Sequence, residues 1–152
     1  MIMATRAGLG LQRNGHGTPV DLALQVERTK SRALLAWETS DAREEKQHDG
    51  RRITEDGAEA IALAVAHGKR GWRVVRRLQP GEHADWLLEQ SNGRSRRLVA
   101  LEVSGVDRGA IGARLGEKLA QVAQCVDVNQ RWAGVVGFEE PVAALRSTKT
   151  TR

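Results

Sequence analysis

An amphipathic helical pattern between two apolar segments constrains the fold of this chain more than any other feature. Residues 97–104 and 133–138 are typical of strands, and the intervening residues 109–126 repeat apolar side chains at helical spacing. Two strands joined by one helix can pair in parallel through a right-handed crossover. The sequence therefore predicts an α/β (α+β) fold with a central mixed sheet and helices on its faces.

The segments before this unit predict another helix and a meander of strands. Thr54 is the expected N-cap of a helix that ends near Gly68 and is apolar nearly all round. Strands are expected at 72–78 and 84–89. The Asn92-Gly93 pair, a strong hairpin signal, then leads into the strand at 97–104. From residue 54 the expected order is helix, three strands, helix, strand.

The remaining segments are predicted to surround this core. Alternation of apolar and polar residues from Val20 to Val26, followed by a second strand from Ala33 to Glu38, indicates an N-terminal β-hairpin. The expected organisation is a flexible arm at 1–17, a single domain at 18–145 and a basic tail at 146–152. Within the domain we expect the hairpin at 18–39, a charged linker at 40–52 and the core at 53–140.

Charge and composition narrow the classes of protein. The 152 residues carry a formal net charge of +5, which weakly favours an anionic partner such as nucleic acid. The single cysteine, Cys125, excludes an internal disulfide and a cysteine-based zinc cluster. No apolar stretch approaches the ~20 residues of a membrane span, and the first 17 residues lack the apolar core of a signal peptide. We therefore expect a cytoplasmic protein without a membrane partner.

Two acids lie inside apolar strand segments, where acids are usually paired, hydrogen-bonded or metal-bound. A two-residue Asn-Gly turn would place Asp85 opposite Ala100 and His83 opposite Glu102. Asp85 and Glu102 would then lie on one face of the hairpin, ~7–8 Å apart on the diagonal. Two neighbouring carboxylates suit Mg²⁺ or Mn²⁺. The alternative is that one or both acids face water at the rim of the sheet.

A lysine and several arginines complete the candidate site. Lys118 falls in the apolar stripe of helix 109–126, so its ammonium could meet the two acids and stabilise charge on a phosphate. The alternatives are a lysine that reaches past the core to water and an ion pair without a catalytic role. Arg73 and Arg76 could contact backbone phosphates of DNA, although charged runs are more often solvated surface.

The order of elements over 54–138 resembles the PD-(D/E)XK nuclease superfamily. The resemblance rests also on Asp85 in the second strand and on Glu102-Val103-Ser104 in the third, where the superfamily has Glu-X-Lys. The chain is further similar to a group of uncharacterised bacterial proteins with Thr-Glu-Asp-Gly before the first helix and Leu-Glu-Val-Ser-Gly on the third strand. The resemblance implies a restriction-endonuclease-like core.

The same resemblance implies roles for individual residues. Asp85 and Glu102 would bind the metal, and an acid of the first helix, Glu55 or less favourably Glu59, would extend the cluster. Ser104 occupies the place of the catalytic lysine. Members of the superfamily can take that lysine from another element, and Lys118 is the position that the helix offers. Gln121, on the same helix face, and Ser104 would touch substrate.

The leading hypothesis is a Mg²⁺-dependent nuclease-like domain that acts on DNA. The rival is a catalytically inactive protein of the same fold that binds nucleic acid or a protein partner, for example as a subunit of a bacterial defence complex. A homodimer that pairs through the hairpin is a third hypothesis. Functional groups of Asp85, Glu102 and Lys118 more than about 8 Å apart, or on opposite faces, would exclude the enzyme hypothesis, since one Mg²⁺ could not be shared.

Overall fold

The computed structural model describes residues 2–39 and 49–149, which form an α+β fold. Within these residues, three helices surround one seven-stranded mixed sheet of strand order β2-β1-β7-β6-β5-β4-β3. In chain order the elements are α1 (Ile2–Arg13), β1 (Val20–Val26), β2 (Thr29–Leu35), α2 (Gly50–Arg70), β3 (Arg73–Arg77), β4 (Trp86–Ser91), β5 (Arg96–Val106), α3 (Gly112–Val122), β6 (Gln130–Gly137) and β7 (Val142–Ser147). None of these helices is long and apolar enough to cross a membrane.

The predicted strand-helix-strand unit is confirmed. β5 and β6 pair in parallel from Val99 opposite Gln130 to Val106 opposite Gly137, and α3 connects them. β3, β4 and β5 form the expected antiparallel meander. Predicted strand bounds in this half of the chain differ from the observed ones by at most three residues, whereas α3 is shorter than the predicted helix at 109–126.

The N-terminal hairpin is confirmed, but its connection to the sheet was not foreseen. β1 and β2 pair in antiparallel fashion, and β1 also pairs in parallel with β7, with Ala23 opposite Val142. β7 in turn pairs with β6. The predicted basic tail at 146–152 is therefore wrong at its start, because Arg146 and Ser147 belong to β7; residues 150–152 lie outside the described part of the chain. The alanines of β7 have low strand propensity, so the sequence pattern did not predict this strand.

The predicted flexible arm at 1–17 is wrong: α1 packs against α2 and the sheet. A Cβ atom on Gly57 of α2 would lie 2.9 Å from the Cα of Ala7, and one on Gly10 would lie 2.8 Å from the ring of Phe138. Leu11 of α1 is fully buried. Gly8 and Gly10 of the predicted arm are thus places where α1 closely approaches Trp37 and Phe138.

α2 begins earlier than predicted. Asp49 is the N-cap, and its side chain accepts a hydrogen bond from the backbone N–H of Arg51. Thr54, the expected N-cap, instead donates its hydroxyl to the carbonyl of Gly50 within the first helical turns. Residues 50–52 of the predicted linker are therefore helical, and residues 40–48 lie outside the described residues. Gly71, in the left-handed conformation at φ 67°, ends the helix.

Alternating side chains of β5 divide the core between two layers. Val99, Leu101 and Val103 are buried in the cluster that contains the residues of α1 and α2. Ala100 packs instead with Val122 of α3. Since side chains alternate along a strand, Glu102 and Ser104 lie on the α3 side of the sheet. The fold thereby places two polar groups of β5 beneath the helix that carries Lys118.

Candidate functional site

The hairpin between β4 and β5 has a longer loop than the sequence indicated. Ser91 pairs with Arg96, so the loop comprises residues 92–95 rather than two residues. Leu87, and not Asp85, consequently lies opposite Ala100. The pairing differs from the predicted one by two residues, which leaves every side chain on its predicted face because strands have a period of two.

In the observed register Asp85 lies beside Glu102, at the position that the sequence predicted for His83. Asp85 lies just before β4, and its backbone N–H donates to the carbonyl of Leu101. Its Oδ2 accepts a hydrogen bond of 2.8 Å from the backbone N–H of Val103. The Asp85 carboxyl group is close enough to Glu102 to raise the pKa of that acid. The two acids are therefore adjacent, and backbone contacts to both sides of Glu102 hold Asp85 in place.

Lys118 meets the acids as its place in the helical stripe predicted. Its Nζ lies 2.7 Å from Oε1 of Glu102 and 3.1 Å from Oε1 of Gln121. Glu102 is 2% exposed, whereas the Lys118 side chain keeps 21% of its surface in solvent. The lysine ammonium is therefore held by a buried carboxyl group while part of the lysine side chain remains in solvent.

The surroundings of Glu102 disfavour its charged form. Burial raises the pKa of Glu102 to about 7; the Lys118 ammonium opposes this shift and the neighbouring Asp85 carboxylate adds to it. Desolvation and a second negative charge both favour a protonated carboxyl, because each raises the cost of ionisation. Near neutral pH this site therefore holds fewer negative charges than two free carboxylates would.

The acids open into a cleft of about 400 Å³, which we call the carboxylate cleft. Its wall is the segment between β3 and β4, and its floor includes Asp85, Glu102 and Gln121. A bidentate ion pair braces the wall: Arg76 Nη1 and Nη2 lie 3.1 and 2.8 Å from the carboxylate of Glu82. This pairing lowers the pKa of Glu82 to about 2.

The arginines of β3 differ from their predicted roles. The guanidinium of Arg76, predicted to bind substrate, is engaged by Glu82. Arg73 is exposed on β3 and does not line the carboxylate cleft. Arg77, which belongs to the same basic segment of the sequence, lines it. Its place at the end of β3 could not be distinguished from the neighbouring arginines by pattern alone.

A buried acid on α2 positions Arg77. Glu59, 6% exposed, accepts hydrogen bonds of 3.0 and 2.9 Å from the Arg77 guanidinium, which also lies 4.9 Å from the ring centroid of Trp86. Burial raises the pKa of Glu59, while Arg77 lowers it and the Asp85 carboxylate adds to the increase. Glu59 is thus the α2 acid that is electrostatically linked to Asp85. The sequence feature that indicated Glu59 was an acid within an otherwise apolar helix.

Glu55 and Ser104 lie away from the carboxylate cleft. Glu55, the favoured supporting acid, lines a different cleft with Arg51 and Arg114. Ser104 is 1% exposed, and its Oγ accepts a hydrogen bond of 2.9 Å from Arg114 Nη1. The predicted contact between Ser104 and substrate is therefore not supported, because Arg114 covers the hydroxyl.

Glu55 belongs to a cleft of about 620 Å³ at the end of β5. Its cationic lining consists of four arginines, and we call it the arginine cleft: Arg13, Arg51, Arg108 and Arg114. It shares β5 and α3 with the carboxylate cleft, since Ser104 and Arg114 follow Glu102 and Lys118 along the same faces. The two clefts are thus neighbours along one polar seam.

Asp85 and Glu102 have the donor chemistry of a magnesium site. The described residues contain no group of three or more His, Cys, Asp or Glu side chains arranged to hold a metal. Magnesium, however, is commonly bound through one or two carboxylates together with waters and substrate phosphates. The adjacent, poorly solvated acids fit such a cation, since a positive charge would relieve the repulsion that favours protonation of Glu102.

Comparisons of the chain with protein-family models, with curated proteins and with solved structures found no match.

Proposed function

We propose that the protein is a metal-dependent nuclease that hydrolyses phosphodiester bonds of DNA. The observation that carries this proposal is the contact of Lys118 with Glu102, an acid that lies beside Asp85 and lines an open cleft with it. Two acids and a cation from separate parts of the chain thus lie at or beside one open cleft. Acids with a perturbed pKa next to a lysine are typical of sites that stabilise charge on a transferring phosphoryl group.

The topology around the cleft supports the same proposal. The order α2, β3, β4, β5, α3, β6 resembles the helix-strand-strand-strand-helix-strand order of the PD-(D/E)XK superfamily, in which Asp85 and Glu102 would be the acids. We therefore propose that residues 53–140 form a restriction-endonuclease-like core. The lysine on α3 would compensate for Ser104 in the Glu-X-Lys position.

Each residue of the cleft has a distinct proposed task. Asp85 and Glu102 would hold Mg²⁺ or Mn²⁺, which when bound supplies Lewis-acid polarisation of the phosphodiester. Glu102 must lose its proton to act as a ligand, and the Lys118 ammonium favours that loss. Lys118 would also stabilise the negative charge that develops on the phosphate oxygens. Gln121 orients the lysine through its side-chain oxygen.

Arg77 would bind substrate rather than react. Arg77 lines the carboxylate cleft, and Glu59 and Trp86 hold its guanidinium in one orientation. A planar, preorganised guanidinium matches the paired oxygens of a phosphate. We therefore propose that Arg77 takes the role in phosphate binding that the sequence suggested for Arg76.

Cleavage of plasmid and linear DNA in Mg²⁺ or Mn²⁺ tests the proposal. Asp85→Asn and Glu102→Gln should each reduce the cleavage rate at least about a hundredfold, and Lys118→Met by a similar factor. Asp21→Asn and Lys69→Met remove equivalent charges from exposed positions outside the cleft and should leave the rate unchanged. Thermal unfolding of every variant identifies loss of folding. Cleavage that survives both acid substitutions would refute this site.

A second candidate is a non-catalytic protein of the same fold that binds nucleic acid. The observation that favours it is that the Lys118 ammonium is already paired with Glu102, while Ser104 stands where the superfamily has its lysine. Binding of DNA that weakens steeply with salt, without cleavage under any divalent cation, would support this candidate over the enzyme. A protein partner or a homodimer would appear as a larger species in sedimentation experiments.

A further inference from the structure

We propose that the arginine cleft is a second binding site, which holds phosphate groups of the same nucleic-acid strand whose phosphodiester lies in the carboxylate cleft. The inference rests on the proposed action on DNA. It adds a second place, away from the reacting bond, at which the DNA backbone is bound. Four observations carry it: the convergence of arginines, their lack of acidic partners, the position of the α2 N-terminus, and the seam that joins the clefts.

Arginines from separate parts of the chain converge on this cleft. Arg13 ends α1, Arg51 lies in the first turn of α2, Arg108 follows β5 and Arg114 lies in the first turn of α3. These residues are up to 101 positions apart in the chain, so a local run of basic residues does not explain their meeting. The fold itself collects the cations around a space of about 620 Å³.

Most of this positive charge lacks a negative partner. The cleft also holds Glu55 and Asp107, so its lining has an excess of two positive charges. Arg114 is engaged by Ser104 and by Glu117. Arg13, Arg51 and Arg108, in contrast, form no ion pair with any residue in ranges 2–39 and 49–149. Guanidinium groups that are not ion-paired provide paired donors that suit phosphate oxygens.

The start of α2 adds to the positive potential. The helix begins at Gly50, whose missing side chain leaves room for Arg13: a Cβ atom there would lie 2.7 Å from Arg13 Nη1. The guanidinium therefore lies against the positive end of a 21-residue helix. A cation and a helix N-terminus repel each other, whereas an anion bound between them is attracted by both.

A continuous seam connects the arginine cleft with the acids. Glu102 and Ser104 are two residues apart on one face of β5, a separation of about 7 Å. Lys118 and Arg114 are four residues apart on α3, about 6 Å along the helix. The side chains pair across the seam, Glu102 with Lys118 and Ser104 with Arg114. The separation of the two pairs is about the rise of two base pairs along the axis of a B-form duplex, at 3.4 Å per base pair.

Binding of fluorescent oligonucleotides in buffer with chelator, where cleavage cannot occur, tests the site. The double variant Arg51→Glu/Arg108→Glu should bind a single-stranded or duplex oligonucleotide at least about tenfold more weakly and with a salt slope reduced by about two. Arg28→Glu/Arg94→Glu is the matched control: it changes the net charge equally at exposed arginines outside both clefts, and should lose less than about twofold. Equal losses in the two double variants, or none in either, would overturn the proposal.

Oligonucleotide length distinguishes a strand from a free phosphate. Affinity that rises from a mononucleotide to a hexanucleotide, and falls back in Arg51→Glu/Arg108→Glu, supports a strand in the arginine cleft. If inorganic phosphate displaced the hexanucleotide at a concentration similar to the one at which the hexanucleotide itself binds, the proposal would be overturned. The cleft would then recognise a single phosphate ion rather than a strand.

The same measurements separate this inference from the proposed nuclease activity. Absence of cleavage by the wild type, with binding that still depends on Arg51 and Arg108, would refute the enzyme and retain the arginine cleft. Cleavage by the wild type with unchanged oligonucleotide binding by Arg51→Glu/Arg108→Glu would refute the arginine cleft and retain the enzyme.

Discussion

At the scale of single residues, Glu102 is held in surroundings that oppose its ionisation. The strand segment around it is apolar, and its neighbours Leu101 and Val103 are buried on the opposite face of the sheet. An apolar residue is the usual occupant of such a position, because burial of a charge costs free energy unless the charge is compensated. Lys118 stabilises the charged form of Glu102, whereas the Asp85 carboxylate favours the protonated form.

The raised pKa of Glu102 predicts a pH dependence of stability in the absence of divalent cations. A pKa of about 7 in the folded protein exceeds the ordinary value of 4.5, so folding favours the protonated carboxyl. This contribution is fully present below pH 4.5 and is lost as the pH rises through about 7. The free energy of unfolding should fall by on the order of 3 kcal/mol between these limits.

Urea unfolding across this pH range, with chelator, measures the effect. Glu102→Gln should remove most of the decrease because glutamine does not titrate, whereas the exposed Asp21→Asn should retain it. A decrease of the same size in Glu102→Gln would show that another group is responsible.

The segment between β3 and β4 depends on the ion pair between Arg76 and Glu82. Glu82 has its pKa lowered to about 2 by Arg76 and by the backbone N–H of Gln79. Its contribution to the order of this segment is therefore present above pH 4.5 and lost as the pH falls through about 2. Glu82→Gln should accelerate hydrogen exchange of the Gln79 amide at neutral pH, with Glu140→Gln as the exposed control. Unchanged exchange of the Gln79 amide in Glu82→Gln would show that the ion pair between Arg76 and Glu82 does not order this segment.

At the scale of elements, α2 meets the end of β5 with almost no space between their backbones. A Cβ atom on Gly105 would lie 2.5 Å from the carbonyl oxygen of Thr54. Gly105→Ala should destabilise the protein by about 1–3 kcal/mol, since neither backbone can move freely. Gly116 on α3 has open space around its Cβ position, so Gly116→Ala should stabilise the protein by about 0.5–1 kcal/mol. Chemical denaturation measures both, and equal effects would contradict the close packing.

The element that sequence patterns misjudged most is α1. Its four-residue segment Gly8 to Leu11 alternates glycine and leucine, and glycine is a poor helix former in isolation. Packing outweighs that preference here, because Gly8 accommodates Trp37 and Gly10 accommodates Phe138. The contacts that stabilise this helix come from residues far along the chain, which local patterns do not contain.

At the scale of the whole molecule, β7 joins the N-terminal hairpin to the rest of the sheet. It pairs with β1 on one side and with β6 on the other, and Leu24 of β1 belongs to the main buried cluster. The hairpin should therefore unfold together with the core rather than as a separate unit.

Truncation of one hairpin side chain tests this cooperativity. Leu24 is 3% exposed, so Leu24→Ala should lower the free energy of unfolding by about 2–5 kcal/mol. The variant should still unfold in a single transition, seen by both tryptophan fluorescence and circular dichroism. Leu34→Ala on β2, where the leucine is 69% exposed, is the control and should cost little. Two separate transitions in Leu24→Ala would show that the hairpin is an independent unit.

The sequence by itself determined the strand-helix-strand unit, the hairpins, and the faces on which Asp85, Glu102 and Lys118 lie. These features follow from short-range periodicity, which the chain carries locally. Only the tertiary structure decided the register of β4 against β5, the partners of Arg76 and Arg77, the helix α1 and the meeting of four arginines at the end of β5. These depend on loop geometry and on contacts between distant segments, whose energies no local pattern encodes.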